Sequence, residues 1–304
     1  MAELTGINLA MQTPFDAAGN LDFKRYEELI DIYLDCGVHG FVLSAGTGQH
    51  AYITEAECAK MFQLGCKRIG GRAKVTCQTS ALNQDEVIRR SKTAQDAGAD
   101  AVMVLPPYFE GPTHDDGIVK FYAAIDRAVG IDIVGYNIPA GTKIELTPAL
   151  FRRLLQLEHF NYIKDSCNDL GKQQALIAAG KAHGGKVLNG ADPVAPLAFI
   201  LGCVGTIWGG VNFMPRESVQ LWNLVQAGKI PEAMQLWSAM FPAAAFCWYG
   251  DYNPAVKAAC RIMGYEGGTL RAPVCELEPA AVAELEKALA PLKALRQGTR
   301  AAAQ

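Results

Sequence analysis

Short apolar, mostly β-branched runs recur about every 25–35 residues through the first two-thirds of this chain, each followed by a stretch of helical period. They lie at 7–12, 40–44, 74–79, 101–105, 132–136, 162–164, 186–189 and 205–208. Few architectures accept that pattern. A helix between consecutive strands makes those strands parallel, and eight such units predict an α/β fold closed into a (β/α)₈ barrel. The helical period is plain at 23–35, where Tyr26, Leu29, Ile30 and Tyr33 recur at 3–4 spacing. Asn20 and Asp22 offer N-cap chemistry there, and Gly37 stands where a terminating glycine belongs. Thr147-Pro148 similarly opens a helix over 149–157.

Beyond residue 215 the strands stop. Segments 216–228, 231–248, 253–264 and 279–296 are helical in period, with Pro215, Pro231, Pro254 and Pro279 at or near their starts. The expected organisation is a barrel over 1–215 and a C-terminal helical extension over 216–304, its last residues, 297–304, free to fray. The chain's 304 residues exceed the roughly 250 of a typical barrel by enough for that extension. Half the residues are hydrophobic and 19% are charged, which suits a large core and excludes a disordered chain.

Net charge is −3 and no Lys/Arg run stands out, so neither nucleic acid nor an anionic membrane is an expected partner. No stretch approaches the roughly 18 apolar residues of a membrane span. The opening Met1-Ala2-Glu3-Leu4-Thr5-Gly6 lacks a basic and then apolar leader pattern. Nine cysteines are scattered without a C-x-x-C pair, which reads as reduced, mostly buried thiols in a cytoplasmic protein. Cys167 fits that reading better than a reactive thiol. The five histidines show no metal-ligand spacing, so no metal is expected, and nothing calls for an organic cofactor.

Two strand ends carry chemistry. The run 132–136 ends in Tyr136, and 28 positions later the run 162–164 ends in Lys164. A (β/α)₈ barrel builds its active site at the C-terminal ends of its strands. A lysine among apolar strands loses hydration, which disfavours its ammonium form and makes it a usable amine nucleophile. A tyrosine on a nearby strand can move protons to and from what that amine attacks. Singly these are a surface lysine and a core tyrosine; together, at this spacing, they predict a catalytic pair.

Seven segments in order then resemble one family: Ser44-Ala45-Gly46-Thr47-Gly48-Gln49, Pro106-Pro107-Tyr108, Tyr136-Asn137-Ile138-Pro139, Lys164-Asp165-Ser166, Gly205-Thr206-Ile207 with Asn212, Asn253-Pro254-Ala255-Val256-Lys257 and Arg271-Ala272-Pro273. The chain resembles the dihydrodipicolinate synthase / N-acetylneuraminate lyase family of class I aldolases and dehydratases, over most of its length. The resemblance implies that Lys164 forms a Schiff base with a 2-keto acid and that Tyr136 shuttles protons. It implies a substrate-carboxylate site at Gly46 and Thr47, backbone contacts to substrate at Gly190 and Ile207, and a Tyr108 that reaches a neighbouring subunit's site in a homodimer or homotetramer.

The departures carry information too. The family's loop usually reads Gly, Thr or Ser, Thr, Gly, Glu, whereas here Gly46 replaces the hydroxyl residue. Its usual Tyr-Tyr pair is Tyr108-Phe109. Dihydrodipicolinate synthases carry an arginine after the Tyr-Asn-x-Pro motif, and Ala140-Gly141-Thr142 supplies none, so bidentate recognition of a second carboxylate is lost. The expected activity is therefore that of a Schiff-base lyase on a 2-keto, 3-deoxy acid, by dehydration or by retro-aldol release of pyruvate. The alternatives are a dihydrodipicolinate synthase-like condensation and a non-catalytic keto-acid binder.

Seven further positions have competing readings. His50 reads as a partly exposed loop histidine before it reads as a substrate contact. Trp208 and Trp248 read as core or interface aromatics. Gly205, Gly209 and Gly210 read as close backbone packing, since no basic residue flanks them to hold phosphate. Asn212 suits either a substrate hydroxyl or its own loop.

Overall fold

Strands that are apolar on both faces need cover on both, and the structure supplies it. A computed structural model describes residues 3–112 and 114–302. Its strands are β1 (Gly6–Ala10), β2 (Gly40–Leu43), β3 (Lys74–Gln78), β4 (Ala101–Val104), β5 (Asp132–Asn137), β6 (Phe160–Asp165), β7 (Lys186–Asn189) and β8 (Gly205–Trp208). Each runs parallel to the next, and β8 closes on β1 from Gly6↔Gly205 to Leu9↔Trp208. The chain is a (β/α)₈ barrel with a C-terminal helical extension.

The helices around the sheet are α1 (Phe23–Asp35), α2 (Glu55–Ile69), α3 (Gln84–Asp96), α4 (Asp115–Asp126), α5 (Pro139–Thr142), α6 (Pro148–Leu154), α7 (Leu170–His183) and α8 (Ala195–Leu201). Then follow α9 (Pro215–Gln226), α10 (Ile230–Tyr249), α11 (Tyr252–Met263) and α12 (Pro279–Ala302). Alternation along each strand sorts its side chains between two cores. On β5, Ile133 points out to the helices while Val134 and Tyr136 point into the barrel; on β6, Ile163 points out and Tyr162 in. The lumen is filled by Ala10, Val42, Met103, Val134, Tyr162, Leu188 and Ile207, so it is a packed core and not a pore.

Local expectations are mostly met. Asp22 caps α1 by accepting from the Arg25 amide at 2.9 Å, and Gly37 follows with φ +80. Asn20 does not cap; its amide donates to Asp16 in the preceding turn, at 2.8 Å. The first strand stops at Ala10 and not at residue 12: the Met11 amide still reaches the Val42 carbonyl at 3.1 Å, but the groups after it are satisfied by side chains instead of a ladder. The Gln12 amide donates to Asn212 Oδ1 at 2.9 Å, and the Thr13 carbonyl accepts from Lys257 Nζ at 2.7 Å. Helix α6 ends at Leu154, three residues short of the expected 157.

Those bonds begin to show how the extension is joined to the barrel. Buried Lys257 also donates to the Gly267 carbonyl at 3.0 Å, and Gln12 Nε2 reaches the Tyr265 carbonyl at 2.8 Å. Arg296 on α12 grips Glu217 on α9 with two bonds, at 2.6 and 2.9 Å. Arg271 does the same to Glu57 on α2, at 2.7 and 2.8 Å, and holds that carboxyl down at about 2. No helix among the described residues is long and apolar enough to cross a membrane.

Because the Glu57 carboxyl is depressed below its ordinary value, the Arg271 pair contributes stability that is complete above about pH 4.5 and lost as pH falls towards about 2. Arg271→Ala is expected to cost about 2–3 kcal/mol in urea unfolding at pH 7. The gap to the wild type should close as the titration is repeated at falling pH. An equal gap at every pH would mean that Arg271 acts through its carbonyl contacts to Gly19 and Tyr52 instead.

Candidate active site

The parallel ladder between β5 and β6 places Tyr136 directly opposite Lys164, so the two strand-end side chains emerge side by side at the C-terminal mouth. Lys164 is only 5% exposed, and its Nζ lies 3.9 Å from the centroid of the Tyr136 ring. One cation held over one aromatic face is a positioned contact, because the ring's quadrupole attracts the charge and excludes water from that side. The mouth forms a cleft of about 340 Å³, a size suited to a small metabolite.

The two strand ends are braced from below. Asn137 donates to the buried Asp165 carboxylate at 2.8 Å and accepts from the Leu146 amide at 2.8 Å. Burial raises the Asp165 carboxyl from its ordinary value. Across the cleft Gly190 borders the lysine stem: a Cβ built there would stand 2.7 Å from Lys164 Cε and 2.2 Å from Ser166 Oγ. Ser166 uses that hydroxyl to reach the Gly190 carbonyl at 3.0 Å. Ile207, fully buried on β8, forms part of the floor.

Beyond β2 the chain makes a short 3₁₀ turn, Gly46–Gly48, that forms the rim. The Gly46 amide is already taken by Gln78 Oε1 at 3.0 Å, and its carbonyl accepts from Asn253 at 3.1 Å. Thr47, next in the turn, also lines the cleft. His50, expected to be partly exposed, is instead buried behind this turn. It lies between Ser44 Oγ, at 3.0 Å, and the Ser80 carbonyl, at 2.6 Å. Burial pushes its pKa down to about 4, so it is neutral near pH 7, with Nε2–H donating to Ser80 and Nδ1 accepting from Ser44. It shapes the loop and does not line the cleft.

The structure therefore gathers Gly46, Thr47, Tyr136, Lys164, Gly190 and Ile207 around one cleft. Tyr108 is not with them. It is half-buried in a separate depression with Pro112, Thr142, Lys143 and Glu145. Asn212 is fully buried and bound to Ala10, Gly209 and Gln12, so it ties its own loop. Trp208 is core, though one edge reaches the cleft, and Trp248 is a cleft wall. Burial raises the Cys167 thiol, which receives Asn137 Nδ2 at 3.3 Å, consistent with a structural role. Gly205 packs against Gly6, where an added Cβ would meet the carbonyl oxygen at 2.2 Å.

Sequence reasoning missed Tyr252 and Asp192. Tyr252 lines the cleft, and its hydroxyl reaches both Asp192 oxygens at 3.0 Å. The available signals were thin: Tyr252 immediately precedes Asn253-Pro254, and Asp192 stands two residues after Gly190.

A buried lysine and a tyrosine on adjacent barrel strands, with an anion-sized rim loop opposite, are the parts of a Schiff-base enzyme. The comparisons agree. A sequence model of the dihydrodipicolinate synthetase family matches residues 3–292, and the chain belongs to that family. A 4-hydroxy-tetrahydrodipicolinate synthase from Stenotrophomonas maltophilia is 32% identical over 296 residues, covering 96% of this chain and 98% of its own. Another, from Syntrophobacter fumaroxidans, is 31% identical over 277 residues, covering 90% and 94%. Among solved structures, a dihydrodipicolinate synthase superposes with TM-score 0.90 at 28% identity, covering 95% of this chain and 99% of its own. A prophage protein of the family from E. coli, in complex with pyruvate, gives 0.91 at 26%, covering 96% and 99%. The chain is an enzyme of the lysine Schiff-base class.

The close fit at Gly190 makes a specific prediction. Gly190→Ala should leave the melting temperature within a few degrees but displace the Lys164 terminus, lowering kcat about 10²-fold, the scale set by a misplacement near 1 Å. Steady-state kinetics beside a thermal melt checks this. Unchanged kcat would show that Lys164 has room to spare.

Proposed function

We propose that the Lys164 amine condenses with the C2 carbonyl of a 2-keto, 3-deoxy acid bearing a C4 hydroxyl, and that the imine is resolved by loss of water or by C3–C4 cleavage releasing pyruvate. The attack on C2 gives a carbinolamine, and loss of its hydroxyl as water gives the imine. In this reading Tyr136 carries those protons, which its position opposite the lysine supports. The protonated imine then draws electrons from C3, either from a C3–H bond or from the C3–C4 bond. Thr47 on the rim is the candidate contact for the substrate carboxylate, with Gly190 and Ile207 bounding the chain of the acid.

The observation that supports this substrate class is the lining itself. Among the described residues Lys164 is the one cation lining the cleft; the other polar groups are hydroxyls and amides, such as Thr47, Ser166, Tyr252 and Asn253. Such groups suit a polyhydroxylated chain, and among the described lining residues no guanidinium stands ready for a second carboxylate. A second reading is favoured by the relatives' names, which are those of synthases. In it, the same Lys164 imine is made from pyruvate and its enamine attacks an aldehyde. These names support the condensation more directly than they support dehydration or cleavage.

Borohydride trapping followed by mass measurement tests the step common to both. Pyruvate and a 2-keto-3-deoxy sugar acid should each label the wild type at Lys164, and Lys164→Ala should take no label. Tyr136→Phe should still label while kcat falls about 10²–10⁴-fold. Release of water or pyruvate from the sugar acid favours the first reading. Consumption of pyruvate only when an aldehyde is supplied favours the second, and label on Lys164→Ala would sink both.

Assembly belongs to the same proposal. Phe109 is 71% exposed beside Tyr108, an apolar tip at a barrel mouth. At least a dimer is expected in solution, with these segments at the contact. A stable, fully active monomer at micromolar concentration by light scattering would refute it.

A further inference from the structure

The turn after β7 carries Asp192, whose carboxylate is fully buried. One of its oxygens accepts from the Gly210 amide at 3.2 Å, and both lie 3.0 Å from the Tyr252 hydroxyl. That hydroxyl also accepts from the Gly209 amide at 2.9 Å. It is a cleft group: Tyr252 lines the cavity, with Trp248 edge-on to its ring at 6.3 Å. It also sits near the rim. A Cβ placed on Gly209 would lie 2.5 Å from the Tyr252 hydroxyl and 2.9 Å from Thr47 Oγ1, so the two hydroxyls flank one point. Next to Thr47 in the same turn, Gly46 contributes no side chain, and the space where its Cβ would stand is empty.

A phenol has one hydrogen and two lone pairs. The Gly209 amide occupies one lone pair. While Asp192 is ionised, the Tyr252 hydrogen points to the carboxylate, and only a lone pair remains for a ligand. Once Asp192 is protonated, its own O–H can donate to Tyr252, and the phenol hydrogen is released towards the cleft.

We propose that Asp192 and Tyr252 form a proton-transfer pair in which neutral Asp192 turns the Tyr252 hydroxyl into the donor that protonates the hydroxyl leaving from substrate C4. The step balances. The enamine nitrogen pushes its electron pair to re-form the imine, the C2–C3 pair becomes the C3–C4 double bond, and the C4–O bond breaks with its pair on oxygen. That oxygen takes the Tyr252 proton and departs as water; Tyr252 takes the proton of Asp192. The carboxylate is reprotonated from solvent through Tyr252 once the cleft reopens.

Burial supports the pair's poise, since it raises the Asp192 carboxyl to about 7 against the lowering influence of Lys164 and of the Tyr252 and Gly210 bonds. Cys247 also faces the carboxyl from α10, and its thiol is raised well above its ordinary range. Burial and the Asp192 charge raise Tyr252 too, which keeps its O–H intact between turnovers.

This inference rests on the dehydration reading above, and Tyr252→Phe and Asp192→Asn test it separately from Schiff-base formation. Both variants should still label with pyruvate and borohydride. With a C4-hydroxylated 2-keto-3-deoxy acid both should lose water about 10²–10⁴-fold more slowly, kcat falling far more than KM changes. The wild-type kcat should decline above about pH 7, where Asp192 ionises, and Asp192→Asn should remove that limb. Dehydration within threefold of wild type in Tyr252→Phe would overturn the pair while leaving the Schiff base standing. Parallel loss of labelling and turnover in both variants would overturn it as well, by showing a structural role. A wild type that labels with neither keto acid would overturn both readings.

Discussion

The hydrogen-bond register between β5 and β6 is the constraint from which the chemistry follows. Parallel strands place partners at equal height, so Tyr136↔Lys164 is a consequence of the same ladder that pairs Asn137 with Asp165. A slip of β6 by one residue would turn Lys164 out towards the helices, into the core that holds Ile133 and Ile163, while Tyr136 stayed inside. The slip is opposed by two cores at once. Val134 and Tyr162 fill the lumen, while the outward residues meet Phe151 and Phe160. The Asn137–Asp165 bond then secures the strand ends where the ladder itself stops.

The helical extension contributes to the same site. Tyr252 and Asn253 at the start of α11 and Trp248 at the end of α10 complete the cleft wall that the barrel leaves open. Their placement depends on anchors set well away from the cleft. Lys257 satisfies two carbonyls from within the protein, and Arg271 joins the extension to α2 through Glu57. A division at residue 215 thus marks a change in secondary structure, but the chemistry draws on both sides of it.

Not every family feature is present in this chain. Gly46 leaves open space where a hydroxyl-bearing side chain could stand, and Phe109 replaces an aromatic hydroxyl. Tyr252, backed by Asp192, brings a hydroxyl to the cleft near Thr47 from a different element. A function carried by one strand-end loop can be supplied by another element wherever both reach the same mouth.

The barrel, its eight strands and the pairing of Lys164 with Tyr136 were legible in the sequence because they rest on periodicity and spacing, which are properties of the chain in order. The depth of His50 and the loop-tying role of Asn212 were not, because each depends on groups distant in sequence. His50 is held by the Ser80 carbonyl just beyond β3, and Asn212 is satisfied by Ala10 and Gln12. Tyr252 and Asp192 are 60 residues apart, on α11 and after β7, and no local pattern links them. Local order decided which elements form and which way their side chains alternate. Closure of the barrel and docking of the extension decided which of those side chains share a cavity, because burial and hydrogen-bond satisfaction are set by neighbours that only the tertiary fold supplies.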